Sequence, residues 1–153
     1  MYSRDQASQL RKEFWTTFGN YMSMTLSAEG IKTNWLNYKT GLKNVYFRLD
    51  ADKRKASVAI EITHTDPGIR ELFFEQFTEL KSLLNGYLNE NWEWELNSQD
   101  ENGKIISRIY KDLQGVNVYN KQDWPALISF FKPRIIALDE FWSDAQYSFD
   151  SLK

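Results

Sequence analysis

Two short segments of opposite phase constrain this chain more than any other feature. In Val45-Tyr46-Phe47-Arg48-Leu49 the large apolar side chains of the core pattern stand at odd positions, and in Val58-Ala59-Ile60-Glu61-Ile62 they stand at even ones. A period of two marks a strand with one buried face. If Lys53-Arg54 forms a two-residue turn, Leu49 falls opposite Val58, Phe47 opposite Ile60 and Val45 opposite Ile62, so all six share a face. A slip of one residue would send one strand's whole set to the wrong side. The pattern therefore predicts both the hairpin and its register.

A second hairpin is predicted from Trp92 to Asn97 against Ile105 to Lys111, with Asn102-Gly103 as the turn dipeptide. Its first strand, Trp92-Glu93-Trp94-Glu95-Leu96-Asn97, raises a chemical question, because two carboxylates alternate with the apolar residues. Aligning Leu96 with Ile109 places Trp92, Trp94 and Leu96 on the core face. Glu93 and Glu95 then share the other face with Arg108 and Tyr110.

Helices account for the rest of the pattern. Ser3 and Gln6 form a candidate capping box before Leu10, Phe14, Phe18, Tyr21 and Met22, which recur at helical spacing. Gly30 ends that pattern, and Ile31 to Asn44 reads as an irregular connection carrying Trp35 and Tyr38. Asp66-Pro67 opens one helix through Ile69, Phe73, Phe77, Leu80, Leu84 and Tyr87. Asp123-Trp124-Pro125 opens the last, through Leu127, Phe131, Ile135, Leu138 and Trp142, with Pro133 expected to kink or divide it. The expectation is an α+β fold in the order α-ββα-ββα, with a four-stranded antiparallel sheet made of two β-hairpins and helices packed on one face. No linker breaks the chain, so residues 1–153 are read as a single domain.

Composition narrows the function classes. Hydrophobic residues make up 42% and aromatic residues 16%, too apolar for disorder, and a net charge of -2 gives no global field toward nucleic acid. With no cysteine there are no disulfides, thiolate metal sites or cysteine nucleophiles. No apolar run approaches the ~20 residues that span a bilayer, and no leader pattern is visible, so a cytoplasmic protein without membrane contact is expected.

Several stretches together resemble a family. These are Glu13-Phe14-Trp15-Thr16-Thr17-Phe18, the helix from Leu72-Phe73-Phe74 to Leu83, Trp92-Glu93-Trp94-Glu95, Ile106-Ser107-Arg108-Ile109, Asp123-Trp124 and Phe131-Lys132-Pro133-Arg134-Ile135. The chain resembles the bacterial family known only as domain of unknown function 4268. That resemblance implies a fold unit which stands alone or follows a module like restriction nucleases, and so a loose nucleic-acid context. It implies no catalytic residues.

The context makes a metal-dependent nuclease the sharpest enzymatic alternative, centred on Asp50 and Glu61. Such sites place an Asp on one strand and a Glu-x-Lys on the next. Here Thr63 stands where the lysine would, and the predicted register sets Glu61 opposite Tyr46 and diagonal to Arg48, the place of an ion pair. Glu93 and Glu95 sit ~6–7 Å apart along one strand, and a nearby Arg108 would keep both ionised, so an acid–base pair is not expected. His64 is the only histidine, and Asp66 is better used as a helix cap than as its metal partner. Ser107 would need His64 as base. No phosphate-cradling loop or dinucleotide fingerprint is present, so no cofactor and no metal are expected.

Two surfaces are left as binding candidates. The open sheet face would carry Tyr46, Arg48, Glu61, Glu93, Glu95, Arg108 and Tyr110. The stretch from Ile31 to Ala56 holds Lys32, Lys39, Lys43, Arg48, Lys53, Arg54 and Lys55 against only Asp50 and Asp52, interleaved with Trp35, Tyr38 and Tyr46. Such a segment can contact phosphates and stack on bases, or it can simply solubilise a turn. The reading is a non-catalytic binding or accessory module, with nucleic acid, a protein or a second copy of the chain as partner.

Overall fold

The structure, a computed structural model, describes residues 3–153. Helix α1 spans Arg4–Met22 and begins with the expected capping box, Ser3 and Gln6 each satisfying the other's backbone N–H. Strands β1 (Val45–Ala51) and β2 (Lys55–Ile62) pair in the predicted register, Leu49 with Val58, Phe47 with Ile60 and Val45 with Ile62. After them come α2 (Pro67–Glu79), α3 (Lys81–Leu88), β3 (Glu93–Gln99), β4 (Ile105–Gln114) and α4 (Trp124–Ala145). The strands form one antiparallel sheet in the order β1-β2-β4-β3, so the two hairpins join through β2 and β4. The edge strand β1 is guarded at both ends. Thr40 Oγ1 donates to the Val45 carbonyl at 2.8 Å, and the Arg11 guanidinium donates to that of Ala51.

Three expectations change. The single helix from Asp66 is two helices, because Leu80 leaves the helical region (φ -95, ψ 9). No Gly or Pro marks that break. It turns α3 so that Tyr87 meets Phe141 of α4, with ring centroids 6.4 Å apart. Pro133 does not divide α4, which runs through it as one helix. Beside it Arg134 is fixed by two 2.9 Å bonds to Glu90 and donates to the Phe130 carbonyl at 3.0 Å.

The third change is in the second hairpin. Trp94, not Leu96, lies opposite Ile109, a shift of two residues that preserves which side chains share a face. Beyond Glu95 the strand bulges, with Leu96 and Asn97 set against Ser107 alone. Asn97 adopts a left-handed conformation (φ 57) and donates its N–H to Ser107 Oγ at 3.1 Å. Leu96, expected in the core, is therefore 42% exposed. Tyr21 and Ile69 also turn out from their expected buried stripes.

The core is one aromatic-rich cluster between the sheet and the helices. Trp142 links its layers, 5.6 Å from Phe47 on the sheet, 6.1 Å from Phe77 on α2 and 5.2 Å from Phe149. Its indole N–H donates to the Thr40 carbonyl at 2.8 Å, so a buried polar group is satisfied where the layers meet. Helix α1 packs outside α4, with Phe18 5.7 Å from Phe131. No helix among the described residues is long and apolar enough to cross a membrane.

Candidate functional site

The register of the four strands arranges the face away from the helices into transverse rows. Tyr46, Glu61, Arg108 and Glu95 form one row across β1, β2, β4 and β3. Arg48, Ala59, Tyr110 and Glu93 form the next. All seven predicted open-face residues thus stand in two adjacent rows, a block of ~14 Å by ~7 Å from the strand spacing and rise. The eighth position is Ala59, the one small side chain among them.

Rigid contacts order this block. Arg48 donates from Nε to Glu61 at 2.7 Å and lies 4.3 Å over the Tyr46 ring. The same pattern is mirrored two strands away, where the Arg108 guanidinium lies 4.2 Å over Tyr110. Burial first, and then the charge and hydrogen bond of Glu95, hold the Tyr110 phenol above its usual range. The symmetry then breaks. Arg48 has its carboxylate, whereas Arg108 makes no hydrogen bond or ion pair with any described residue, although Glu61 and Glu95 flank it in the ladder. Its Nε is shielded from water and has no acceptor.

Next to this block lies a groove of about 420 Å³. It is lined by the buried Ala59, Ser57 and Ile106, by Arg48, Glu61 and Arg108, and by Gln99 to Asn102 of the β3–β4 tip. Asp50, Asp52 and Lys55 line it at the β1–β2 turn. Its volume matches small-molecule sites, but the polar lining does not match their mostly apolar walls. Three cations and five carboxylates line it, so its field is acidic. Ile106, Ser57 and the hairpin tip are absent from the sequence prediction. Period two does reach Ile106, two residues before Arg108, yet an apolar residue there contradicts a wet face. It is 2% exposed and lies outside the main core cluster, a small apolar patch under the groove.

The nuclease candidates are kept apart. Asp50 pairs with Ser57, four ladder positions from Glu61, so their backbones are ~13 Å apart. Asp50 is held by Arg11 at 2.8 Å and Glu61 by Arg48. Asp52 caps its own turn, accepting from the N–H groups of Arg54 and Lys55, which hold its carboxyl below the usual range against the opposing effect of burial. No group of three or more potential metal ligands is found among the described residues.

His64 stacks on Phe73 at 4.3 Å between centroids, and its Nδ1 has no partner. Burial, and then the charge of Arg70, lower its pKa. Arg70 itself is only 5% exposed, donating to the His64 carbonyl at 2.7 Å and to Asn97 Oδ1 at 2.8 Å. Asp66 caps α2 as expected. Ser107 is fully buried and spends its hydroxyl on the bulge.

Apart from Arg48, the basic residues of the 31–56 stretch, Lys32, Lys39, Lys43, Lys53, Arg54 and Lys55, do not converge. Lys39 and Lys43 precede β1 while Lys53 and Arg54 follow it, more than ~20 Å away along a seven-residue strand. Lys55 pairs with Asp112 at 3.2 Å, and Lys32 sits in the loop after α1.

The geometry defines a class: an α+β domain whose open sheet face carries an ordered array of arginine, tyrosine and glutamate beside an acidic groove. The chain belongs to the family described as domain of unknown function (DUF4268), whose model matches residues 10–146 and so takes in the whole sheet. No curated protein and no solved structure matches it.

Proposed function

We propose that this domain is a non-catalytic binding module that takes an extended protein segment across its open sheet face, anchored at Arg108. One observation carries the reading. Arg108 is the cation of the array without a carboxylate, 4.2 Å over the Tyr110 ring with its Nε desolvated and unpartnered. Buried polar groups are normally satisfied, so an exception beside an open groove calls for a group that completes it. A carboxylate from a partner would meet the guanidinium fork in charge-assisted hydrogen bonds. The acidic groove favours a segment of mixed charge over a phosphate backbone, with a basic side chain for Glu101 and Asp100 at the hairpin tip. The separation of Lys43 from Lys53 further weakens a nucleic-acid reading. The pairing of Asp50 and Glu61 with arginines weakens the nuclease one.

Display of random peptides selects against the wild-type domain, and synthetic versions of the enriched sequences are then titrated by fluorescence anisotropy. The expected result is an acidic residue common to the binders and a loss of tenfold or more in affinity on Arg108→Met. Enriched peptides that bind Arg108→Met equally well, or no enrichment at all, would overturn the proposal. So would salt-sensitive binding of labelled DNA or RNA near 50 mM salt that is lost with Lys53, Arg54 and Lys55.

A further inference from the structure

One wall of the groove is a piece of the sheet bent back over its own face. Asp112 lies opposite Ser57 near one end of β4, and Ile106 stands six residues away toward the other end, ~20 Å along the strand. The β3–β4 tip lies beyond Ile106, yet residues 99–102 line one groove with Asp50, Asp52 and Ser57. The hairpin therefore curls over the open face, with Ile106 buried in the bend and the bulge at Leu96 and Asn97 supplying it. The two walls are held differently. At the β1–β2 turn the Gly115 N–H donates to the Arg54 carbonyl at 2.9 Å, the Val118 N–H donates to that of Asp52 at 3.1 Å, and Arg11 holds Asp50. Pairing of β4 with β2 ends at Ser107, so the arm from Ser98 to Ile106 has no strand on its other side. Among the described residues its hydrogen bonds are all internal: the Asp100 N–H donates to the Lys104 carbonyl, and the Asp100 carboxylate accepts from the N–H groups of Asn102 and Lys104. Arg70 anchors the base of the arm through Asn97. The arm is a lever of about five residues, ~16 Å, so a turn of about 20° at the bulge moves its tip ~5 Å.

The charges of the groove leave two residues over. Arg48 has Glu61, Lys55 has Asp112 and Asp50 has Arg11, while Asp52 and Asp100 accept from the N–H groups of their own turns. Arg108 on the floor and Glu101 on the arm have no hydrogen-bond or ion-pair partner among the described residues. Opposite charges thus stand unpaired in one groove of about 420 Å³, one of them on the movable wall. We propose that Glu101 is a built-in competitor for Arg108. Without a partner the arm swings in and the Glu101 carboxylate pairs with the guanidinium; a segment of mixed charge opens it by offering an acid to Arg108 and a base to Glu101. This latch rests on the open-face reading, because it occupies the arginine assigned there to the partner. An ion pair open to solvent is weak, so the latch lowers the partner's affinity about two- to sixfold and does not abolish binding.

Because the chain has no cysteine, pairs of nitroxide labels can be introduced on the full domain and their separation measured by double electron–electron resonance. Glu75→Cys with Asn102→Cys reads the arm, and Glu75→Cys with Lys53→Cys reads the fixed wall; all three sites are exposed. The expected result is a narrow distance distribution for the wall and a broad one for the arm. The arm's short-distance population should be lost with Glu101→Gln and near 1 M salt. The tightest peptide from the display, its lysines and arginines replaced by glutamine so that it makes no use of Glu101, should bind Glu101→Gln about two- to sixfold more tightly than wild type. An arm distribution as narrow as the wall's, or one unchanged by Glu101→Gln, overturns the latch. Equal or weaker binding of that peptide by Glu101→Gln also overturns it, and leaves the open-face reading standing. A display that yields no binder removes that reading instead, while the labels still decide whether the arm closes on Arg108.

Discussion

Replacing Arg108 with methionine should make this protein more stable, an unusual outcome for a half-buried residue at the centre of a sheet. The guanidinium Nε is cut off from water without an acceptor, and such a donor costs about 1–3 kcal/mol. Methionine keeps an unbranched apolar stem against Tyr110 and removes that donor. What is lost is the stacking of the cation on the ring, worth about 0.5–1 kcal/mol at a site partly open to solvent. The balance is a gain of roughly 0.5–2 kcal/mol, which at this chain length raises Tm by a few degrees per kcal/mol. Urea unfolding with an unchanged slope measures it directly. Arg48→Met is the internal control. It strips Glu61, whose side chain is only 20% exposed, of its 2.7 Å partner, and should lose about 1 kcal/mol. Two arginines in equivalent stacks would then respond with opposite signs. A loss of 1 kcal/mol or more for Arg108→Met would show that Arg108 holds the sheet together, and would remove the reason for assigning it to a partner.

Three other perturbations test the surroundings of the site. The lowered pKa of His64 means that the unfolded chain takes up a proton first as pH falls through about 6.5. Stability should therefore be full above that pH and decline below it, and His64→Phe, which keeps the stack on Phe73, should flatten the decline in a pH series of urea melts. Tyr38 has its pKa raised by burial and then by Asp139, so above pH 10 the unfolded chain loses a proton that the native state retains. Stability should fall as pH rises beyond that point, less steeply in Tyr38→Phe, which at neutral pH costs about 1–2 kcal/mol because Asp139 loses a donor. Asn97→Ala strains a left-handed residue and removes the acceptor of the buried Arg70, so it should cost roughly 2–4 kcal/mol. Asn97→Gly relieves the backbone strain alone and should recover part of that loss, and equal losses for the two would refute the division.

What could be read from the sequence follows the range of the forces involved. The period-two pattern of residues 45–49 and 58–62 fixed the first hairpin and its register, because burial of one face is a property of each strand by itself. The same logic placed all seven array residues on the open side, and it survived a two-residue error in the second hairpin because a shift of two preserves parity. The bulge at Leu96 and Asn97 was not legible. It is set by Ser107 Oγ and by a buried arginine 27 positions away on α2, neither of which leaves a periodic trace. The break at Leu80 has the same origin, since α3 turns to meet α4 rather than to obey a local stop signal. Most important for function, the ladder between β2 and β4 was invisible, because nothing within either hairpin specifies how the two join. That junction brings Glu61 beside Arg108 and closes the two rows. Sequence alone paired Arg108 with the glutamates of β3, which would have made it an ordinary charge-satisfied residue. In the folded sheet Glu61 is taken by Arg48, Glu95 makes no ion pair with Arg108 across the ladder, and the arginine between them is left without a partner. The functional candidate is thus an accident of pairing order, a residue whose local sequence is unremarkable and whose chemistry exists only once four strands have met.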